Sequence, residues 1–164
     1  MSSKLHAYLL PIAAAFIGAL SLAAPGDIHS QAGLFKPNPH LYSETSNAAT
    51  DISVAIARAG REHKRILLDF GGNWCGDCQV LDIYYHQSPN AELLAKHFIL
   101  VHVNIGHMDQ NVAIAQKYNV PIKKGVPALA VLDSHGKLLY SEHDKEFEHT
   151  SATAITDFLN RWKA

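Results

Sequence analysis

Two residues, Gly76 and Asp77, separate Cys75 from Cys78, and these are the only cysteines in the 164-residue chain. Ahead of them, Ile66-Leu67-Leu68-Asp69-Phe70 is an apolar, strand-like run; behind them, Gln79 to Tyr85 reads as the continuation of a helix. A thiolate is the nucleophile of disulfide exchange. The first N–H groups of a helix, at the positive end of its dipole, favour that anion and lower the thiol pKa. Cys75 stands at this helix start. Cys78 lies one turn on, on the same face, where it can close a disulfide with Cys75 or resolve one.

The elements that must hold these thiols can be read along the chain. Thr50-Asp51 is read as the cap of a first helix, with Ile52, Ala55, Ile56 and Ala59 at helical spacing and an end near Gly60 to His63. Arg65 to Gly71 is the first strand, and its unbroken apolar run implies burial on both faces. The helix that starts at the cysteines runs to about His86. It restarts with Ser88 as N-cap, Pro89 at the first helical position and Glu92 in the first turn. Phe98 to Asn104 is a strand, Asn111 to Tyr118 a helix and Val120 to Pro127 a loop. Ala128 to Asp133 then pairs back through a Ser134-His135-Gly136 turn with Lys137 to Ser141. Ser151 caps a last helix whose Ile155, Phe158, Leu159 and Trp162 form an apolar stripe. This order predicts an α/β sandwich around a small mixed sheet.

The length fits one compact domain plus a leader. A net charge of −1 and the lack of a basic run leave no footprint for nucleic acid, which is not expected as a partner. Two cysteines are too few for a disulfide scaffold or a four-cysteine zinc site. A histidine pair three to five residues apart, the other half of a zinc finger, is not read with them, and no metal is expected.

Residues 1–24 read as a signal peptide: Lys4, an apolar alanine-rich run from Ala7 to Ala24, then Pro25-Gly26. An uncleaved membrane anchor is the alternative. Residues 25–47, with Pro37-Asn38-Pro39, read as a linker or extended arm, from which Leu34-Phe35 and Leu41-Tyr42 can pack on the domain edge. Residues 48–164 form the domain. The leader places it outside the cytoplasm, periplasmic or secreted.

Leu68-Asp69-Phe70, Trp74-Cys75-Gly76-Asp77-Cys78, Tyr118-Asn119-Val120 and Gly125-Val126-Pro127, followed by the 128–133 strand and its hairpin, resemble the thioredoxin superfamily. Within it the chain looks most like periplasmic thioredoxin-like proteins, including the C-terminal domain of the DsbD type of reductase. The resemblance implies a thioredoxin-like fold, a central mixed β-sheet flanked by helices. It also implies a thiol–disulfide oxidoreductase in which Cys75 attacks and Cys78 resolves. In the same way Trp74 matches the aromatic that flanks the site, and Asp69 the buried acid that helps deprotonate the resolving thiol. Pro127 matches the cis-proline facing the cysteines, and Val126 the residue whose backbone meets an extended substrate. Burial of Asp69 would raise its pKa and suit it to proton transfer.

Gly76, Asp77 and His102 are the positions where tuning is expected. Asp77 stands where cytoplasmic thioredoxins carry proline; a carboxylate there disfavours the thiolate and points to a reductant. His102 stands where many thioredoxins carry a lysine near the buried acid, and a histidine can share a proton with Asp69. Lys123 and Lys124, in a longer loop, would favour the thiolate weakly. No bound cofactor is implied beyond the redox-active Cys75–Cys78 disulfide. The partners implied are disulfide-containing client proteins and an electron-donor reductase, with a membrane-bound donor as the candidate, and the protein is read as a monomer. The rival readings are a disulfide oxidase or isomerase, and a copper-binding metallochaperone using Cys75, Cys78 and His86 or His102.

Overall fold

A computed structural model describes residues 37–164. The elements are α1 (Ala48–Glu62), β1 (Arg65–Gly71), α2 (Gly76–Tyr85), α3 (Asn90–His97), β2 (Phe98–Asn104), α4 (Val112–Lys117), β3 (Ala128–Leu132), β4 (Leu138–Ser141) and α5 (Ala152–Trp162). The four strands form one sheet in the order β2-β1-β3-β4. β1 runs parallel to β2 and antiparallel to β3, and β4 pairs antiparallel with β3. The fold is α/β and thioredoxin-like, a mixed sheet between helices. Residues 1–24, read as a signal peptide, and Leu34-Phe35 of the arm lie outside the described residues.

β1 lies inside the sheet, and its side chains feed both layers. Ile66, Leu68 and Phe70 pack with Ala55 and Ala59 of α1 and Ala115 of α4. Leu67 packs on the other side with Leu81 and Tyr85 of α2, Leu94 of α3 and Ile155 of α5. A strand covered on both faces has no use for polar alternation, which is why this run reads as continuously apolar. β2 is an edge strand, and its burial alternates. The stripe on α5 is core: Ile155, Phe158 and Leu159 are buried.

Several boundaries differ from the reading of the sequence; β4 begins one residue later, at Leu138, and α4 is one residue shorter at each end. α1 starts earlier, because Asn47 is extended and its Oδ1 accepts the Thr50 N–H at 3.0 Å, so Thr50-Asp51 lies inside the first turn. α3 starts at Asn90, with Pro89 as the flanking cap residue; the Ser88 side chain caps nothing, and the Ala91 N–H goes to the Gln87 carbonyl at 3.0 Å. β3 stops at Leu132 because Asp133 turns its Oδ1 onto the N–H groups of His135 and Lys137, both at 2.9 Å. Those two donors, Lys137 foremost, hold the Asp133 carboxyl below its usual range.

The arm is not a free linker where it is described. Asn38 and Gln79 bond reciprocally: the Asn38 N–H donates to Gln79 Oε1 at 2.8 Å, and Gln79 Nε2 donates to the Asn38 carbonyl at 3.0 Å. Tyr42 and Asn73 repeat the pattern, with Tyr42 N–H to Asn73 Oδ1 at 2.8 Å and Asn73 Nδ2 to the Tyr42 carbonyl at 3.0 Å. Tyr42 is wholly buried rather than set on the domain edge. A large aromatic ring with both backbone groups bonded gains more from the core than from water.

Glu142, just after β4, holds down the segment that follows. Its Oε2 accepts the Leu129 N–H at 3.0 Å and its Oε1 the Glu146 N–H at 2.7 Å. Only 1% of the residue is exposed. Burial pushes its carboxyl up to about 7, against the downward pull of those N–H donors. A carboxyl raised in the folded state contributes stability below its ordinary value near 4.5, and this is lost as pH rises through about 7. Urea unfolding of the oxidised protein is therefore expected to show stability falling between pH 5 and pH 8, by up to about 3 kcal/mol from this group. The depressed carboxyls of Glu62 and Asp133 act the other way, but below this window. Glu142→Gln should flatten the slope; an equal slope in that variant would assign it elsewhere.

Candidate active site

The C-terminal end of β1 and the first turn of α2 bring the thiols together. Cys75 is the N-cap of α2, with extended backbone, and Cys78 sits in the first turn. The two are joined as a disulfide with a Cα–Cα distance of 5.3 Å. The Cys78 N–H donates to Cys75 Sγ at 3.1 Å. A cap position is where an anion is best served by free helix N–H groups, so on reduction the Cys75 thiolate already has its donor. Cys75 keeps 5% exposure while Cys78 has none. A partner can therefore reach the first sulfur and not the second.

The Val126–Pro127 peptide bond is cis, and the Val126 carbonyl oxygen lies 3.4 Å from Cys75 Sγ. The loop before β3 is thus seated against Cys75, with Val126 and Pro127 both buried. Trp74 is 48% exposed. Its Nε1–H donates to the Gly106 carbonyl at 2.6 Å, and its ring stacks on His107 at 5.9 Å between centroids. The side chain is fixed beside the disulfide but its outer face is free. Gly76 is exposed, and a Cβ there would meet nothing within 4 Å.

Asp69 is fully buried. Both of its oxygens are bonded: the Tyr42 hydroxyl donates to Oδ1 at 3.0 Å, and His102 Nδ1 lies 3.1 Å from Oδ2. Asp69 and His102 are register partners on β1 and β2, so the pairing is built by the parallel ladder. Burial of the imidazole opposes its charge. The hydrogen bond and the charge of Asp69 together outweigh that, and the His102 pKa is raised above 6.5. Burial, and then the Asp69 charge, push the Tyr42 hydroxyl well above its ordinary value, so it stays a donor.

Asp77 in the first turn of α2 is not alone. His149, in the loop before α5, sets Nδ1 3.4 Å from Asp77 Oδ1 and its backbone N–H 3.4 Å from Oδ2. Both groups reach solvent, so the pair tempers the Asp77 charge only weakly. Lys124 is turned to the His143 carbonyl at 2.8 Å and to Asp144 at 3.5 Å, which leaves its charge shared with that loop. Among the described residues no group of three histidine, cysteine, aspartate or glutamate side chains could hold a metal ion. The sequence does carry histidines with four or five residues between them, in the pairs His97/His102, His102/His107 and His143/His149, contrary to the reading that no such pair is present; of these, His102 and His107 lie at the site. The structure commits them elsewhere, His102 to Asp69 and His107 to Trp74.

Sequence reasoning missed Tyr42 as part of the site, together with Gln79, His107 and His149. Tyr42 lies in a polar stretch without periodicity, and nothing local says that its ring turns inward.

The sequence profile of a family described as thioredoxin-like matches residues 47–134. A crystal structure described as a disulphide isomerase from Xylella fastidiosa Temecula1 is 38% identical, covers 74% of this chain and 95% of that one, and superposes with a TM-score of 0.70. A thioredoxin from Thermus thermophilus shares the fold at 17% identity, with a TM-score of 0.52 over 66% of this chain and 81% of that one. The oxidised DsbD C-terminal domain of Neisseria meningitidis is 16% identical and covers 73% of this chain and 95% of that one, with a TM-score of 0.49. No curated protein matches the chain.

Proposed function

The chain belongs to the thioredoxin-like family and is a thiol–disulfide oxidoreductase, and we propose that it reduces disulfides in client proteins outside the cytoplasm. The observation that carries this reading is the Cys75–Cys78 disulfide at a helix start, its two sulfurs unequally exposed and faced by the Val126–Pro127 loop. The reduced Cys75 thiolate attacks a client disulfide and forms a mixed disulfide. One client sulfur leaves as a thiolate and takes up a proton. Cys78 then loses its proton, attacks Cys75 Sγ and expels the second client thiolate. Two electrons pass to the client, and the Cys75–Cys78 disulfide is restored. The couple needs no bound cofactor, but a separate reductase must return two electrons, and a membrane-bound donor suits the proposed location. That location rests on the apolar run behind Lys4, which reads as a signal peptide. Among the described residues no helix is long and apolar enough to cross a membrane.

Asp77 supports the reducing direction: a carboxylate in the first turn disfavours a thiolate nearby and stabilises the disulfide. The relative described as a disulphide isomerase favours a second reading, in which Cys75 reshuffles client disulfides. One measurement separates them. Equilibration of the Cys75–Cys78 couple with glutathione is expected to give a potential near about −270 mV, with insulin disulfides reduced in the presence of dithiothreitol. A value nearer about −120 mV, with recovery of activity from scrambled ribonuclease, would replace the reductant with an oxidase or isomerase.

A further inference from the structure

Resolution of a mixed disulfide requires Cys78 to lose a proton while a client covers the outer face of the site. Cys78 is completely buried, and so are Asp69 and Tyr42. A Cβ on Gly71 would crowd both the Tyr42 hydroxyl and Cys78 Sγ, which places those two atoms within about 5 Å of each other. That span is closed by direct contact or by one water. The same hydroxyl bonds Asp69 Oδ1, and the other carboxyl oxygen bonds His102 Nδ1. His102 is the member of this set that meets solvent, with 23% of its side chain exposed. It opens into a groove of about 400 Å³, lined also by Leu41, Ser43, Asp51, Arg58 and Val101. Cys75, Trp74, Val126 and Pro127 do not line it.

We propose that Tyr42, Asp69 and His102 form a back-door proton path, taking the Cys78 proton to the groove beside β2 while the client occupies the Cys75 face. This rests on the oxidoreductase reading above. Tyr42 is a positioning residue that links the thiol to the carboxylate. His102 is the exchangeable end. In the reduced protein the pair is carboxylate and imidazolium, with zero net charge. The Cys78 proton passes through the Tyr42 hydroxyl to Asp69 Oδ1, and the imidazolium releases its Nε2 proton to the groove. The pair is again neutral, Cys78 is a thiolate, and its electron pair makes the bond to Cys75. When the disulfide is next reduced, the Asp69 Oδ1 proton returns through Tyr42 to the Cys78 thiolate and Nε2 takes up a proton from the groove, which restores the carboxylate–imidazolium pair. The groups that set the His102 equilibrium are Asp69 and, at longer range, Asp82, with Asp51 and Arg58 of α1 across the groove and the neutral Tyr42 hydroxyl beside the carboxylate. The Tyr42 and His102 rings meet edge to face at 5.2 Å, which holds the imidazole in register.

The test is single-turnover oxidation of the reduced protein by excess oxidised glutathione, followed through Trp74 fluorescence from pH 5 to pH 9. The unimolecular resolution phase is scored relative to the bimolecular attack phase. In the wild type its rate should inflect above pH 6.5. His102→Asn puts an amide N–H in place of Nδ1 but cannot titrate. It should lose the inflection and slow resolution on the order of tenfold at pH 7, with partial rescue by added imidazole. Tyr42→Phe should slow the same phase. A folded His102→Asn protein with wild-type rate and profile overturns the path and leaves the oxidoreductase reading intact. A wild type that does not exchange with glutathione overturns both. The His102 ring titration in wild type, read by NMR, covers the case of a variant that does not fold. The curve should differ between oxidised and reduced protein, and identical curves overturn the proposal.

Discussion

Cys75→Ser is expected to abolish disulfide exchange, and Cys78→Ser to stop it halfway. A serine hydroxyl is not ionised near neutral pH and does not attack sulfur, so loss of the exposed nucleophile removes the first bond-forming step. The expected fall in insulin reduction is at least about a thousandfold. In Cys78→Ser the exposed sulfur still attacks, because its helix-terminal donor, the N–H of residue 78, belongs to the backbone and survives the change. The mixed disulfide then has no internal thiol to displace it. Mass spectrometry of this variant after exposure to oxidised insulin should find a covalent adduct at Cys75. An adduct at position 78 in Cys75→Ser, or turnover there above a few per cent of wild type, would reverse the assignment of attacking and resolving sulfurs.

Gly71→Ala should be strongly destabilising, because a Cβ there meets two anchored side chains of the site. The added carbon would overlap the Tyr42 hydroxyl and stand 2.8 Å from Cys78 Sγ. Neither neighbour can yield easily: Tyr42 is tied to Asp69 and Asn73, and Cys78 is tied to Cys75. Overpacking of this kind costs about 1–3 kcal/mol, and the fixed partners put it at the upper end. For a domain of this size that is a fall of roughly 10 °C in Tm, read by thermal unfolding of the oxidised protein. Gly76→Ala is the matched comparison. It sits in the same site with no atom within 4 Å of the new carbon, so its Tm should move little. Equal effects at the two glycines would mean that crowding at Gly71 is not what limits the site.

The sequence made the strand–thiol–helix unit legible because each part carries its own period or spacing. β1, β2 and the span of α2 were readable to within a residue, since continuous apolar runs bounded by polar residues admit few alternatives. Asp69 was marked by its oddity, a carboxylate in an apolar strand, and the structure supplies the two partners that make its burial tolerable. The cap of α1 and the start of α3 were misplaced because Asn47, Thr50, Ser88 and Pro89 all have capping chemistry, and only backbone geometry chooses among them. The companions of the site were illegible for a different reason. Tyr42 reaches Asp69 across 27 positions, and His149 reaches Asp77 across 72. Contacts at such separations follow from how the layers stack, and no local pattern encodes them.

The Asn38–Gln79 and Tyr42–Asn73 clasps bear on where this domain can be cut. A fragment designed on the family match would begin at residue 47. It would keep both cysteines, the carboxylate and the proline loop. It would also leave Asp69 Oδ1 facing an empty ring-sized slot, with Gln79 and Asn73 stripped of their partners. Such a fragment keeps its signature residues and loses the part that seals them. Expression boundaries are better drawn ahead of Pro37, with Tyr42 counted as part of the domain.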